Sequence, residues 1–291
     1  MDNVKTKPKK EKKKFSASTL IIILILLVGL SLLLYPTFSD YWNQIHQSYA
    51  VANYREHVSN LNEEEYSRIL DSAIEYNKEL YARKNGFSLN ESMRMDYNNQ
   101  LSVDESGIMA TIEIPCINVS LPVYHGTGEE VLQVAVGHLD WSSLPTGGKN
   151  THCVVSGHRG LPSAKLFTNL DRLTIGDLFM FNVLNETLTY EVDQILIVDP
   201  HDTSALSIVK DMDYCTLVTC TPYGINSHRM LVRGHRVDNL DTSTVHVSAD
   251  ALQIEPFIVA PVIAAPILLG LLISILIPKR KKDRGDTSEK E

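Results

Sequence analysis

From Gly107 onward the chain gives up helical spacing for short apolar runs, and this change of period limits the possible folds more than any other feature. The runs are IMATIEI, NVSLPVY, EVLQVAVGHL, THCVVSG, LFMFNVL, LTYEVDQILIV, CTLVTC and RMLVRGHRV, the last ending at Val237. Each has the length and the β-branched content of a strand. Gly126, Gly128, Gly147, Gly148, Gly176 and Asn185 supply turns around them. A parallel α/β sheet needs a helix in nearly every crossover, and regular intervening helices are not evident between these runs. Some eight strands over about 130 residues therefore predict an all-β core, a closed or nearly closed barrel. Residues 201–212 are expected to supply one short helix, just before the run that ends at Cys220.

Upstream the spacing is helical. Tyr41, Trp42, Ile45, Tyr49 and Ala52 form one stripe, and Tyr66, Ile69, Leu70, Ala73, Ile74, Leu80 and Tyr81 form another. Asn62 followed by Glu65 reads as a capping box opening the second helix. Both stripes are packing faces, so the extension is expected to lead two helices onto the barrel. Leu20–Tyr35 and Pro256–Pro278 are almost wholly apolar, and each abuts a cluster of basic residues. Length and flanking charge predict two membrane spans, with both termini cytoplasmic and the region between them extracellular.

The expected organisation is then a basic tail (1–18), a transmembrane helix (19–36) and a helical extension with a lid-like region (37–106). The barrel (107–237), a linker (238–255), a second transmembrane helix (256–278) and a mixed tail (279–291) follow. Between the basic tips, residues 15–278 carry 14 Lys/Arg against 29 acids. A nucleic-acid binder needs the reverse, a basic face on the fold, so no nucleic-acid partner is expected. Zinc-finger and Walker spacings are absent from the sequence.

The four cysteines lie at 116, 153, 215 and 220. The first three sit inside β-like runs and read as buried free thiols, with a Cys116–Cys153 disulfide as the alternative. Cys215 and Cys220 are too isolated from other ligands for a zinc site. Cys220 differs, because it closes its run immediately before Thr221, Pro222 and a glycine turn, where a thiol faces a cleft. A nucleophilic cysteine needs an imidazole to share its proton. Ten histidines are available, and composition does not choose among them. His158, after a strand and between Gly157 and Arg159, has the best local context.

The string TLVTC ending at Cys220, with Arg229 nine residues on, and SGHRG around His158 resemble the sortase transpeptidases of Gram-positive cell surfaces. The longer strings IEIPCINVSLPVYHGT, SSLPTGGKNTHCVVSGHRGLPSAKLFTNLDRL and VTCTPYGINSHRMLVRGHR are similar to the pilus-assembling members, class C. The resemblance covers roughly residues 97–237. It implies an eight-stranded β-barrel and an acyl-enzyme mechanism without a cofactor, with His158, Cys220 and Arg229 as the catalytic trio. It also implies pilin subunits as partners, each with an LPxTG-like sorting signal and an acceptor lysine. Thr219 is a weaker candidate, as a supporting donor to the oxyanion.

Two neighbouring readings share these strings. A cell-wall anchoring sortase uses the same trio with a peptidoglycan amine, and a non-catalytic, membrane-tethered scaffold would keep the barrel and bind pilins. Class C members usually carry a lid built on Asp-Pro-aromatic. The segment NGFSLNESMRMDYNN (85–99) has no such tripeptide, leaving Asp96, Tyr97 and Phe87 as candidate lid residues. Leu144-Pro145-Thr146-Gly147-Gly148 resembles a sorting signal but lacks its spacer, and reads as a loop of the barrel.

Overall fold

A computed structural model describes residues 17–83, 89–239 and 256–276. Its core is a barrel of eight strands: β1 (Ile108–Ile114), β2 (Val119–His125), β3 (Val136–His138), β4 (Thr151–Ser156), β5 (Leu178–Val183), β6 (Glu186–Val198), β7 (Asp213–Thr221) and β8 (His228–Val237). The barrel closes in the order β1-β2-β3-β4-β7-β8-β6-β5. Two neighbouring pairs, β2 with β3 and β4 with β7, run parallel, and the rest are antiparallel. Alternation along the strands sorts the side chains. Cys153, Val155, Cys215, Leu217 and Val232 point into the main core. Val154, Val218 and Leu231, one residue out of step, form a second apolar cluster with Leu206 on the outer face of the same strands.

Among the described residues the α-helices are α1 (Ala17–Ser59), α2 (Glu63–Ala82), α3 (Glu91–Asn99), α4 (Glu129–Leu132) and α5 (Pro256–Leu276). Asn62 and Glu65 form the expected capping box on α2. The later part of α1 docks on the barrel through Tyr54, whose hydroxyl donates to Met109 O (3.1 Å) and accepts from Leu184 N (2.9 Å). Asn77 of α2 does the same for the β3–β4 loop, donating to Leu144 O (3.0 Å) and accepting from Leu144 N (2.8 Å). Leu144 is fully buried, so the sorting-signal-like string is a packed loop.

The structure corrects several expectations. EVLQVAVGHL is not one strand: Gly128 caps α4, with Glu129 and Glu130 in its first turn, and only Val136–His138 pairs with β2. The first apolar run and the stripe that follows it belong to one helix, which continues through Pro36. Residues 201–212 supply a single 3-10 turn, Ser204–Leu206.

The expectation of two flanking transmembrane helices, and with it a two-span topology with both termini cytoplasmic, is also corrected. Among the described residues only Ala17–Ser59 is long and apolar enough to cross a membrane. The described apolar part of α5 is Ile263–Ser274. Phe87, residues 1–16, the C-terminal tail and nearly all of the expected linker lie outside the described residues.

Candidate active site

The site grows out of the parallel pairing of β4 with β7. The register runs from Thr151 opposite Asp213 to Ser156 opposite Val218. Gly157 N then donates to Val218 O (3.1 Å), carrying the ladder past the end of β4. Continued by two positions, this register sets His158 level with Cys220. On the other side of β7, Cys220 is the direct partner of Arg229 on β8. Thiol, imidazole and guanidinium thus arise from three adjacent strands at one end of the barrel wall. Cys220 shares the outward parity of Val218, and Arg229 that of Leu231. All three residues are half-buried, accessible from outside while resting on an apolar floor.

Two glycines make the His158 segment possible. A Cβ on Gly157 would come within 2.8 Å of the Phe167 ring, which packs over the strand end while Phe167 N donates to His158 O (3.1 Å). Gly160 has φ of +76°, and a Cβ there would meet Tyr223 of the β7–β8 turn at 3.0 Å. Neither the His158 ring nor the Cys220 thiol has a side-chain hydrogen bond among the described residues. Their placement is therefore set by backbone.

Thr219 is buried, and its hydroxyl donates to Gly157 O (2.8 Å). That hydroxyl is engaged in joining β7 to the residue before His158. Arg229 Nη1 donates to His228 O (3.1 Å) and Asn226 O (3.3 Å), and no carboxylate pairs with it among the described residues. Its remaining N–H groups stay open to an acceptor.

The lid candidates have other partners. Asp96 accepts from Gln100 Nε2 (2.9 Å). Tyr97 is buried, with its hydroxyl 2.9 Å from His138 Nδ1 and accepting from Gly126 N (3.0 Å). Burial pushes the Tyr97 phenol far up, so it stays a hydroxyl. Among the described residues neither Asp96 nor Tyr97 contacts the trio.

Sequence reasoning passed over Arg159, which the next strand reaches through Thr221: Arg159 Nη1 donates to Thr221 Oγ1 at 3.4 Å. The signal was available. Setting SGHR beside VTCT in parallel puts Gly157 next to Thr219 and Arg159 next to Thr221. No group of three or more His, Cys, Asp or Glu is placed to hold a metal ion among the described residues.

Residues 112–237 match the Sortase domain family. Sortase C1 from Streptococcus agalactiae is a structural relative at 52% identity and TM-score 0.64, covering 66% of this chain and 99% of that one. Clostridium perfringens sortase C, solved with the C-terminal cell wall sorting motif, follows at 40% identity and TM-score 0.59 (66% of this chain, 100% of that one). Sortase D of Bacillus subtilis (strain 168) is 34% identical over 135 residues, 45% of this chain and 64% of that protein. The chain spans 60 to 66% of the length of the curated relatives it matches. With near-complete coverage of solved structures at this identity, and the barrel and strings described above, the chain belongs to the sortase family, in its class C.

Proposed function

We propose that this protein is a cysteine transpeptidase that cleaves LPxTG-like sorting signals of pilin subunits and joins them through a lysine amine. The observation that carries this reading is the pairing of Cys220 with Arg229 across β7 and β8, with His158 two residues beyond the end of β4 and level with Cys220 when that register is continued. A nucleophile, a proton carrier and a fixed cation meet on one solvent-facing floor. Such a set suits acyl transfer.

In this reading the Cys220 thiolate attacks the carbonyl carbon of the threonine–glycine bond. Arg229 donates N–H groups to the oxygen as charge gathers there, a role for which its planar fork suits it better than lysine. The C–N bond breaks, and the departing amine takes a proton from His158. A thioester remains on Cys220. A lysine amine of the next subunit then attacks it and gives its proton to His158. The C–S bond breaks and an isopeptide bond results. The thioester retains the energy of the broken peptide bond, so the sequence of steps consumes no nucleotide. Thr219 acts on this pathway by holding Gly157, and through it His158, beside β7.

The test combines purified protein with a sorting-signal peptide and a pilin bearing an acceptor lysine. Parent protein gives a thioester adduct on Cys220 detectable by mass spectrometry, then an isopeptide product. Arg229→Lys lowers turnover by about two orders of magnitude, as for loss of one oxyanion donor. A product that forms only with peptidoglycan amines would transfer the protein to the anchoring reading. No adduct at all would leave a binding scaffold.

A further inference from the structure

The geometry points to Arg159 as a positioning residue for the Cys220–His158 pair, acting through Thr221. This rests on the reading of those two residues as the reacting pair, and it adds a member that the trio does not contain.

Among the described residues the pair has no orienting third side chain of the kind that fixes the imidazole in a serine–histidine–aspartate site. What it has is a brace on each side. Ahead of His158, Gly157 O accepts from Thr219, the residue ahead of Cys220. Behind His158, Arg159 reaches Thr221, the residue behind Cys220. The two braces bracket the pair at matching positions on the two strands, so rotation of either strand end about the other is opposed from both sides.

The rest of the Arg159 side chain is held as a brace must be. It is 9% exposed and pairs through Nη2 with Asp171 in the one-turn helix Leu170–Arg172. Its guanidinium lies 5.8 Å from the Tyr223 ring centroid in the β7–β8 turn, which Gly160 admits by lacking a Cβ. Its Nε is buried without a hydrogen-bond partner, a cost that a surface arginine with purely electrostatic work would avoid by turning outward. One side chain therefore ties together the His158 segment, the strand of Cys220, and the turn that leads to Arg229.

The experiment uses the full-length protein with substitutions Arg159→Met, Thr221→Val, Thr221→Ser and the Arg159→Met/Thr221→Val pair. Two rates are read: peptide turnover, split into kcat and KM, and alkylation of Cys220 by a small thiol reagent without peptide. Thr221→Val is nearly isosteric and guards against a misfolded Arg159 variant. We expect kcat to fall about 10- to 100-fold in Arg159→Met and in Thr221→Val with KM little changed, the cost of a slight misplacement of reacting groups. Alkylation should slow in parallel, Thr221→Ser should recover toward the parent, and the double variant should be no worse than the singles, as for one shared contact. Lowered melting temperature with parental kcat and alkylation would overturn the proposal, as would additive losses in the double variant. Were the parent to alkylate rapidly yet leave the peptide intact, the transpeptidase reading would fail while the alkylation rates still decided the role of Arg159.

Discussion

Along β4 and β7 cysteine and histidine come together twice, once inside the barrel and once at its edge. Inside, Cys153 and Cys215 are register partners, both essentially buried, with the fully buried His138 close by on β3. At the edge, Cys220 and His158 stand at equivalent levels but half-buried. The residue types are the same and β7 supplies a cysteine to each, and parity and depth separate the two groupings. In the interior, burial and the neighbouring Cys153 thiol push Cys215 well above the usual thiol range. His138 is enclosed in a chain running from Gly126 N through the Tyr97 hydroxyl to Nδ1, and from Nε2 to Ser143 O (2.8 Å). The tautomer that satisfies this chain carries its proton on Nε2. Buried Cys215 is thereby a packing group, and the imidazole nearest this sulfur is already occupied. The edge pair has open valences and an apolar floor, which a substrate needs.

The largest expected effect separates the two groupings by chemistry. Native protein should take up a small thiol reagent quickly at Cys220. Cys116, half-buried with its thiol pushed up to about 11 by burial, should react slowly. Cys153 and Cys215 should react only after denaturation. Cys220→Ala should remove the fast label and at least about a thousandfold of turnover, as for loss of a covalent nucleophile. Fast labelling of Cys153 or Cys215 in folded protein would break the comparison.

An intermediate effect tests the interior by stability. Tyr97→Phe leaves Gly126 N and His138 Nδ1 without the phenol, and should lower stability by about 1–3 kcal/mol in urea denaturation. The Cys220 alkylation rate of the same variant gives a second reading. If α3 serves only to close the interior chain, the rate stays at the parent value. A severalfold acceleration would mean that α3 also guards the cleft.

The smallest effect concerns acid. Burial holds both His125 and His152 below the ordinary value of 6.5, against carbonyl contacts that favour their charged forms. Each is kept neutral when folded and takes up a proton more readily when unfolded. The stability they contribute is present above pH 6.5 and drains away as the pH falls through that value toward the depressed one. Denaturation midpoints should therefore drop between pH 7.5 and pH 5. His125→Gln should flatten part of that slope, and an unchanged slope would show that other groups govern it.

How much of this was legible beforehand depended on whether the signal was local. β1 could be read from IMATIEI alone, because the run and the strand coincide. The capping box at Asn62 was likewise complete within four residues. EVLQVAVGHL misled because a valine-rich run suits a strand anywhere, while the pair Glu129 and Glu130 behind Gly128 favours a helical turn. The C-terminal apolar run was legible as a helix, α5 over Pro256–Leu276, but among the described residues only Ala17–Ser59 is long and apolar enough to cross a membrane. Tyr97 gave no hint of its depth, because its partners His138 and Gly126 lie far along the sequence. Thr219 and Arg159 were within strings already singled out, yet their roles depend on a parallel register that neither string states alone.

That register has a consequence for the order of events when the protein is made. Gly157 and Thr219 are 62 residues apart, and the parallel contact between their strands cannot form until the chain between them has been looped back. Such non-local pairings are the slow steps of folding. The residue that would attack a substrate therefore emerges from synthesis without its proton carrier, and meets it only as the barrel wall seals. An incompletely folded copy holds an ordinary, isolated thiol. Fast reaction at Cys220 is thus a timer for barrel closure: in refolding experiments it should rise with the last kinetic phase, after helix signals have already recovered.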